Sequence, residues 1–145
     1  MDAPRERCVA RGGRFKIAGH LAIAQFEAAI AKNPKDGAAF RERGRALAML
    51  KKYKEAEGDF TTALTIDPQD GIGLLYRAFC RISLEDYTGA MADNDAAMKL
   101  LQADDPQRWL TYRIRGTIHQ VRGTATRNAD ELRAALVDFT TALRL

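Results

Sequence analysis

The sequence has few of the residues on which metal or redox chemistry depends. Among its 145 residues are two cysteines, two histidines and one tryptophan. Cys8 and Cys80 lie far apart without a CxxC spacing, so a zinc site is not expected and both thiols are interpreted as small buried side chains. His20 and His119 form no metal pair, and His119 is predicted to pack in the core. The sequence therefore predicts neither a metal nor a cofactor.

Long apolar runs and catalytic motifs are also absent. No stretch of about 18 apolar residues is free of charge, and the first 16 residues are charged where a signal peptide is apolar. We therefore expect a cytoplasmic protein that does not enter a membrane. The alternative is a periplasmic or secreted protein, if a signal peptide was removed before Asp2. There is no GxxxxGK[ST] or GxSxG motif, so we expect no enzymatic activity.

The composition instead predicts one ordered domain over residues 1–145. Hydrophobic residues make up 46% of the chain and charged residues 29%, with only four prolines. The net charge of +4 raises the question of a nucleic-acid partner. Because the chain has no aromatic-rich stacking motif and no basic recognition helix, a nucleic-acid partner is not favoured.

One hexapeptide reveals an internal repeat. DFTTAL occupies residues 59–64 and returns unchanged at residues 138–143. Ala29, Ala63 and Ala97 are spaced by 34 residues, and Ala142 follows after 45. We assign the extra length to two insertions, of four residues near 105–108 and seven near 124–130. A fixed period of this length is typical of stacked helical hairpins.

The apolar spacing within each period predicts paired helices. Apolar or small residues recur every three to four positions, and the breaks are short enough to make the helices antiparallel. The predicted helices lie near 18–32, 38–50, 54–66, 71–84, 87–101, 107–122 and 130–144, with a weaker one near 4–14. They give repeat units of about 3–36, 37–70, 71–104 and 109–145. The predicted fold class is all-α, an α-solenoid of stacked antiparallel helix pairs.

The unit 37–70 carries a recurring pattern of aromatic and small residues. An aromatic, Phe40, precedes Gly44 by four residues, and the second helix continues with Ala56, Phe60 and Ala63 before Pro68. This pattern resembles the tetratricopeptide repeat, and the resemblance covers nearly the whole chain. It implies a right-handed superhelix that binds other proteins. The residues that carry the pattern throughout are Gly44, Ala56, Phe60, Ala63, Ala78, Ala90, Ala97, Gly116, Ala135, Phe139 and Ala142.

The small residues of the pattern have a physical reason, and some units depart from the pattern. The small residues Gly44, Ala78 and Gly116 are predicted where paired helices cross, because a large side chain there would push the backbones apart. Asn94 replaces the aromatic in the third unit, and the first unit lacks a recognisable first helix. The fourth unit has no closing proline, and we expect its last helix, over residues 130–145, to be covered by a further helix or a partner.

Charged residues recur in two phases. Arginine occupies one phase in three units and aspartate the other, and both are missing from the first unit; the residues are Arg43, Arg77 and Arg115 with Asp59, Asp93 and Asp138. Their joint presence and absence predicts an ion pair between the two helices of each hairpin. The alternative is that the three arginines bind a ligand.

The resemblance further implies that the first helix of each pair lines a concave groove. The groove residues are then Arg41, Arg45, Met49, Leu75, Phe79, Ile82 and Arg113, followed on the last of these helices by Thr117 and Gln120. This surface would be basic at both ends and apolar in the middle, which predicts an acidic protein or peptide partner with apolar anchors. An ordinary solvated face is the alternative for the arginines. The alternative function is a scaffold that forms homo-oligomers through its terminal helices.

Two details refine these predictions. Some members of the family hold C-terminal carboxylates with lysine and asparagine, but Arg41, Arg45 and Tyr76 stand at those phases here, so that clamp does not carry over. The insertion at residues 124–130 is predicted to stay mostly loop, mobile and available to a partner. Asn128, three residues before Glu131, is predicted to cap the following helix.

Overall fold

The computed structural model describes the backbone of residues 3–145 and the side chains of residues 16–145. The described chain contains seven helices and no strand, which confirms the all-α helical repeat fold. The helices are α1 (Ala3–Lys32), α2 (Gly37–Met49), α3 (Tyr53–Ile66), α4 (Gly71–Ser83), α5 (Tyr87–Leu100), α6 (Arg108–Thr126) and α7 (Ala129–Arg144). None of the described helices is long and apolar enough to span a membrane.

The chain forms two compact units, Met1–Ile66 and Asp67–Leu145. In the first unit α2 packs against both α1 and α3. In the second unit α4 pairs with α5 and α6 with α7, and α6 also contacts α4 and α5. That residues 1–145 act as one domain of four repeats stays a prediction.

The helices from α2 to α5 begin and end within two residues of the prediction because their ends are chemically marked. The carboxylates of Asp36, Asp70 and Asp86 accept a hydrogen bond from the backbone N–H three residues later, which satisfies a donor that the first turn cannot pair. After α2 and α4 the chain turns through Lys51 and Glu85, whose φ angles are 62° and 63°. At each of these left-handed residues the chain reverses direction, so the next helix runs antiparallel to the one before.

The paired helices cross at small residues, as predicted. A Cβ atom on Gly44 would lie 3.0 Å from Cε1 of Phe60, and one on Gly116 would lie 2.9 Å from Cε1 of Phe139. An aromatic ring therefore fills the space that a glycine leaves in both hairpins. The remaining pattern residues are buried as well, namely Ala56, Ala63, Ala78, Ala90, Ala97 and Ala135, with Ala142 half-buried.

Near the start of the chain the predicted pair of helices is wrong. The structure has one helix, α1, where the sequence predicted helices near 4–14 and 18–32. The three residues at 15–17 between them, Phe-Lys-Ile, include no turn-forming residue, so nothing ends the first helix there. The first repeat unit, 3–36, is therefore not a helix pair. The prediction for Cys8 lies outside the described side chains, whereas Cys80 is fully buried as expected.

The prediction that residues 124–130 form mostly a loop is also wrong. Helix α6 continues to Thr126, and only Arg127, with a φ of 54°, and Asn128 separate it from α7. The extension is held because Gly123 is buried against Leu132 of α7, so the two long helices keep packing along the insertion. The prediction that Asn128 caps α7 is confirmed, since its side chain accepts from the N–H groups of Asp130 and Glu131 at 2.9 and 3.4 Å.

Candidate partner-binding site

A cleft lies among α4, α6 and α7 within the Asp67–Leu145 unit. Its volume is about 430 Å³, a size typical of ligand-binding clefts. It is lined by Phe79, Ile82, Arg113, Ile114, Thr117 and Phe139. We refer to it as the α4–α6–α7 cleft. Its walls are mainly apolar, and Phe79 is 38% exposed, so an entering apolar group would meet an aromatic ring.

Arg113 supplies the positive charge of the α4–α6–α7 cleft. Its guanidinium carbon lies 5.1 Å from the ring centroid of Trp109, one turn earlier on α6. The negative face of an indole ring attracts a cation at this distance, so Trp109 holds Arg113 in place. The guanidinium of Arg113 is exposed, and its N–H groups can donate to a carboxylate. The exposed Arg113 can therefore bond an acidic group beside the apolar wall.

Three of the seven predicted groove residues, Phe79, Ile82 and Arg113, line this one cleft. The prediction that Leu75 is exposed is wrong, because its side chain is fully buried. Helix α4 is apolar around most of its circumference and is enclosed on more than one side, so its open strip begins only at Phe79. The sequence analysis identified Phe139 only as a residue of the repeat pattern and did not single out Ile114. Neither position carries a signal that distinguishes a cleft wall from a helix contact.

The other three predicted groove residues lie on α2, in the Met1–Ile66 unit. Glu42 stands between the two arginines, with 3.5 Å from Arg41 Nε to Glu42 Oε1 and 2.7 Å from Arg45 Nη1 to Glu42 Oε2. One carboxylate thus offsets part of the predicted positive charge. Met49 is 65% exposed, as a contact residue would be. That these residues share a binding surface with Phe79 stays a prediction.

The predicted ion pair is present in all three hairpins, and each pair is bidentate. Guanidinium Nε and Nη2 bond the two carboxylate oxygens at 2.7 and 2.6 Å for Arg43–Asp59, 2.9 and 2.7 Å for Arg77–Asp93, and 2.8 and 2.7 Å for Arg115–Asp138. The aspartates are buried. The hydrogen bond to Asp59 raises the pKa of Arg43, and that to Asp138 raises the pKa of Arg115, although burial opposes both shifts. These arginines therefore join the helices of each hairpin.

The α4–α5 hairpin contains further polar contacts that the sequence reading missed. Arg81 Nη1 lies 2.8 Å from Asp93 Oδ2, so two arginines hold this aspartate. This contact could have been predicted from the position of Arg81, which lies one helical turn after Arg77 and so on the same face of α4. Beside it, Asn94 is fully buried, and neither atom of its amide has a hydrogen-bond partner among the described residues.

His119 occupies the place in α6 that Arg81 occupies in α4. Its Nδ1 lies 2.5 Å from Oε2 of Glu131, and its side chain is half-buried. The prediction of a histidine packed in the core is therefore wrong, because the ring bonds a carboxylate at the edge of the hairpin. In a capping box, the carboxylate of Glu131 would accept a hydrogen bond from the backbone N–H of Asn128. Here that carboxylate contacts His119 instead. No cluster of metal-ligating side chains occurs in the part of the chain that the structure describes.

Comparison with known proteins agrees with this architecture. The tetratricopeptide repeat family model matches residues 20–71. A DnaJ homolog subfamily C member 7 homolog from Dictyostelium discoideum is 34% identical over 79 residues, which are 52% of this chain. The chain spans only 15% of the length of that relative.

Solved structures show the same fold. The TPR domain of Arabidopsis OM64 has a TM-score of 0.65 at 24% identity, covering 79% of this chain and 88% of that one. The TPR2B domain of yeast Sti1, in a complex with pHsp70, has a TM-score of 0.55 at 20% identity, covering 95% and 93%. At these identities the likeness concerns the backbone fold.

Proposed function

Because the chain is a tetratricopeptide repeat protein, we propose that it is a non-catalytic module that binds a segment of a partner protein. The tetratricopeptide repeat fold commonly mediates protein–protein interaction. The observation that carries the proposal is the α4–α6–α7 cleft, where the exposed ring of Phe79 and the guanidinium of Arg113 border one cavity. The partner segment would bring an apolar side chain and an acidic group to neighbouring positions.

The two kinds of contact have different roles. Full burial of a leucine or phenylalanine side chain is worth about 1.5–3 kcal/mol, whereas an exposed ion pair contributes about 0–1 kcal/mol. Phe79 and Ile82 would therefore supply most of the affinity. Arg113 would select acidic over basic segments, because like charges oppose association. The arginines on α2 would add to this preference only to the extent that Glu42 leaves their charge unbalanced.

A random-peptide display selection tests the proposal. Peptides selected on the wild-type protein would be measured by fluorescence polarisation against wild type, Phe79→Ala and Arg113→Glu. Lys99→Glu serves as a charge-matched control, because Lys99 is exposed on α5 and does not line the cleft. We expect selected peptides that combine acidic and apolar residues, weaker binding by both cleft variants, and unchanged binding by the control. Peptides that bind Phe79→Ala as well as wild type would refute the proposal.

A second candidate function is self-association through the terminal helix. The observation that favours it is the number of large apolar side chains exposed on α7 and just after it: Leu132 at 40%, Leu136 at 64%, Val137 at 62%, Leu143 at 87% and Leu145 at 64%. Contiguous exposed apolar residues of this kind often mark an interface. Light scattering over a range of concentrations tests it, and a monomer at every concentration would rule it out.

A further inference from the structure

The exposed leucines of α7 lie on one side of the helix. The side toward the rest of the unit holds Ala135 and Asp138, which are buried. Next to it runs an exposed row at spacings of 3, 4, 4 and 3 residues, which we call the α7 seam: Ala129, Leu132, Leu136, Thr140 and Leu143. Leu132 is at the edge of this row, since it is 40% exposed and also packs against Gly123 of α6. Spacings of three and four residues are those with which one helix packs along another. The α7 seam therefore has the form of a helix-packing surface.

The order of these spacings is the same in both directions from Leu136. A second copy of α7 laid antiparallel, with a two-fold axis at Leu136, would place Leu136 on Leu136, Leu132 beside Thr140 and Ala129 beside Leu143. Two-fold symmetry requires such a self-complementary surface, and most homo-oligomers use it. We propose that two copies of this chain associate through the α7 seam in this antiparallel arrangement. The inference rests on the second candidate function and specifies its interface.

The charges beside the α7 seam favour a second copy as the occupant. Asp130 lies in the first turn of α7 and Arg144 in the last, and their spacing places them on the same flank of the seam. In an antiparallel pair, each flank faces the same flank of the other helix. Asp130 would therefore lie near the partner's Arg144, twice by symmetry. In a parallel pair, Asp130 and the partner's Arg144 would lie at opposite ends of the interface.

Asp130 can exchange its present ion pair for one with the second copy. It now contacts Arg133 on its own helix at 3.0 Å, and both side chains are almost fully exposed, at 87% and 78%. An exposed pair one turn apart contributes only a few tenths of a kcal/mol, so it opposes rearrangement weakly. The antiparallel arrangement also brings opposite ends of the two helix dipoles together. Apolar contact and charge thus favour the same orientation.

Sedimentation velocity on the purified chain tests the interface. We expect wild type to pass from monomer to dimer as concentration rises, and Leu136→Glu to weaken the dimer by about a hundredfold or more, since it buries two like charges on the two-fold axis. Leu21→Glu is the matched control, because Leu21 on α1 is 62% exposed, close to the 64% of Leu136. We expect this control to dimerise like wild type, and helical circular dichroism to be unchanged in both variants.

Other outcomes separate this inference from the candidate function on which it rests. A dimer that persists in Leu136→Glu, or that is lost in Leu21→Glu, overturns the α7 interface while self-association stands. A wild-type monomer at all concentrations overturns both.

Charge reversal tests the orientation. Asp130→Arg and Arg144→Asp should each weaken the dimer, and the double variant should restore it, because reversal of both charges recreates the pair. Failure of the double variant to recover would overturn the antiparallel arrangement.

Discussion

A comparison of two glycines in one unit tests how closely the hairpin helices cross. Gly44 in α2 and Gly58 in α3 both lie within helices, but their surroundings differ. A Cβ on Gly44 would lie 3.0 Å from two ring atoms of Phe60, which is fully buried and so has little room to retreat. A Cβ on Gly58 would meet nothing within 4 Å. Alanine at either position therefore gives the same gain in helix propensity. Only the alanine at position 44 would be crowded by a neighbouring side chain.

The expected magnitudes follow from two opposing effects. Replacement of a helical glycine by alanine stabilises by about 0.5–1 kcal/mol. Overpacking of a well-filled core costs about 1–3 kcal/mol. We therefore expect Gly58→Ala to be more stable than wild type, and Gly44→Ala to be less stable by up to about 2 kcal/mol. The larger Gly44→Leu should lose several kcal/mol.

Urea unfolding followed by helical circular dichroism measures both variants, and their difference isolates the crowding. Phe60→Leu provides the internal check, because a smaller side chain makes room for the added methyl group. In a double-mutant cycle, Gly44→Ala should cost less in the Phe60→Leu background. If Gly44→Ala were as stable as Gly58→Ala in the wild-type background, the close approach of ring and helix would be disproved.

Two further predictions concern the polar contacts. Asn94→Leu should stabilise the chain by about 1–3 kcal/mol in urea unfolding, because it replaces a buried amide without partners by an apolar side chain of similar size; a loss of stability would show that the amide is satisfied. Arg43→Met should cost about 3–5 kcal/mol, as removal of one partner from a buried pair does, whereas Arg77→Met should cost less because Asp93 keeps Arg81. Equal losses in the two variants would contradict a stabilising role for Arg81.

The repeat, the helix pairing and the ion pairs could be predicted from sequence because each is a local relation that recurs. Arg43 and Asp59 share one spacing with Arg77 and Asp93, and three copies of a pattern distinguish it from chance. Helix ends were predictable where a carboxylate or a left-handed residue marks them. The end of α6 was not, because the choice between helix and loop at residues 124–126 depends on contact with α7 rather than on the local residues.

The candidate site was only partly predictable because exposure depends on the packing of several helices. Phe79 and Leu75 occupy the same strip of α4, one turn apart, and their sequence phases are equivalent. One is exposed and the other fully buried. Arg113 was predicted from its phase, but its support by Trp109 required the geometry of both side chains. Periodicity therefore identifies the helix face that a site occupies, and the surrounding helices determine which residues on that face remain accessible.

The α4–α5 hairpin solves the helix crossing differently from the α2–α3 hairpin. Where α2 and α3 oppose Gly44 with the ring of Phe60, α4 and α5 have Ala78 and Asn94, both fully buried. Alanine stands here at the crossing position of Gly44, and an amide stands at the position of the Phe60 ring. The second arginine on Asp93 adds a contact between the helices where the apolar ring is missing. The helix that carries Phe79 and Ile82 is thus joined to α5 by charged contacts as well as by apolar packing.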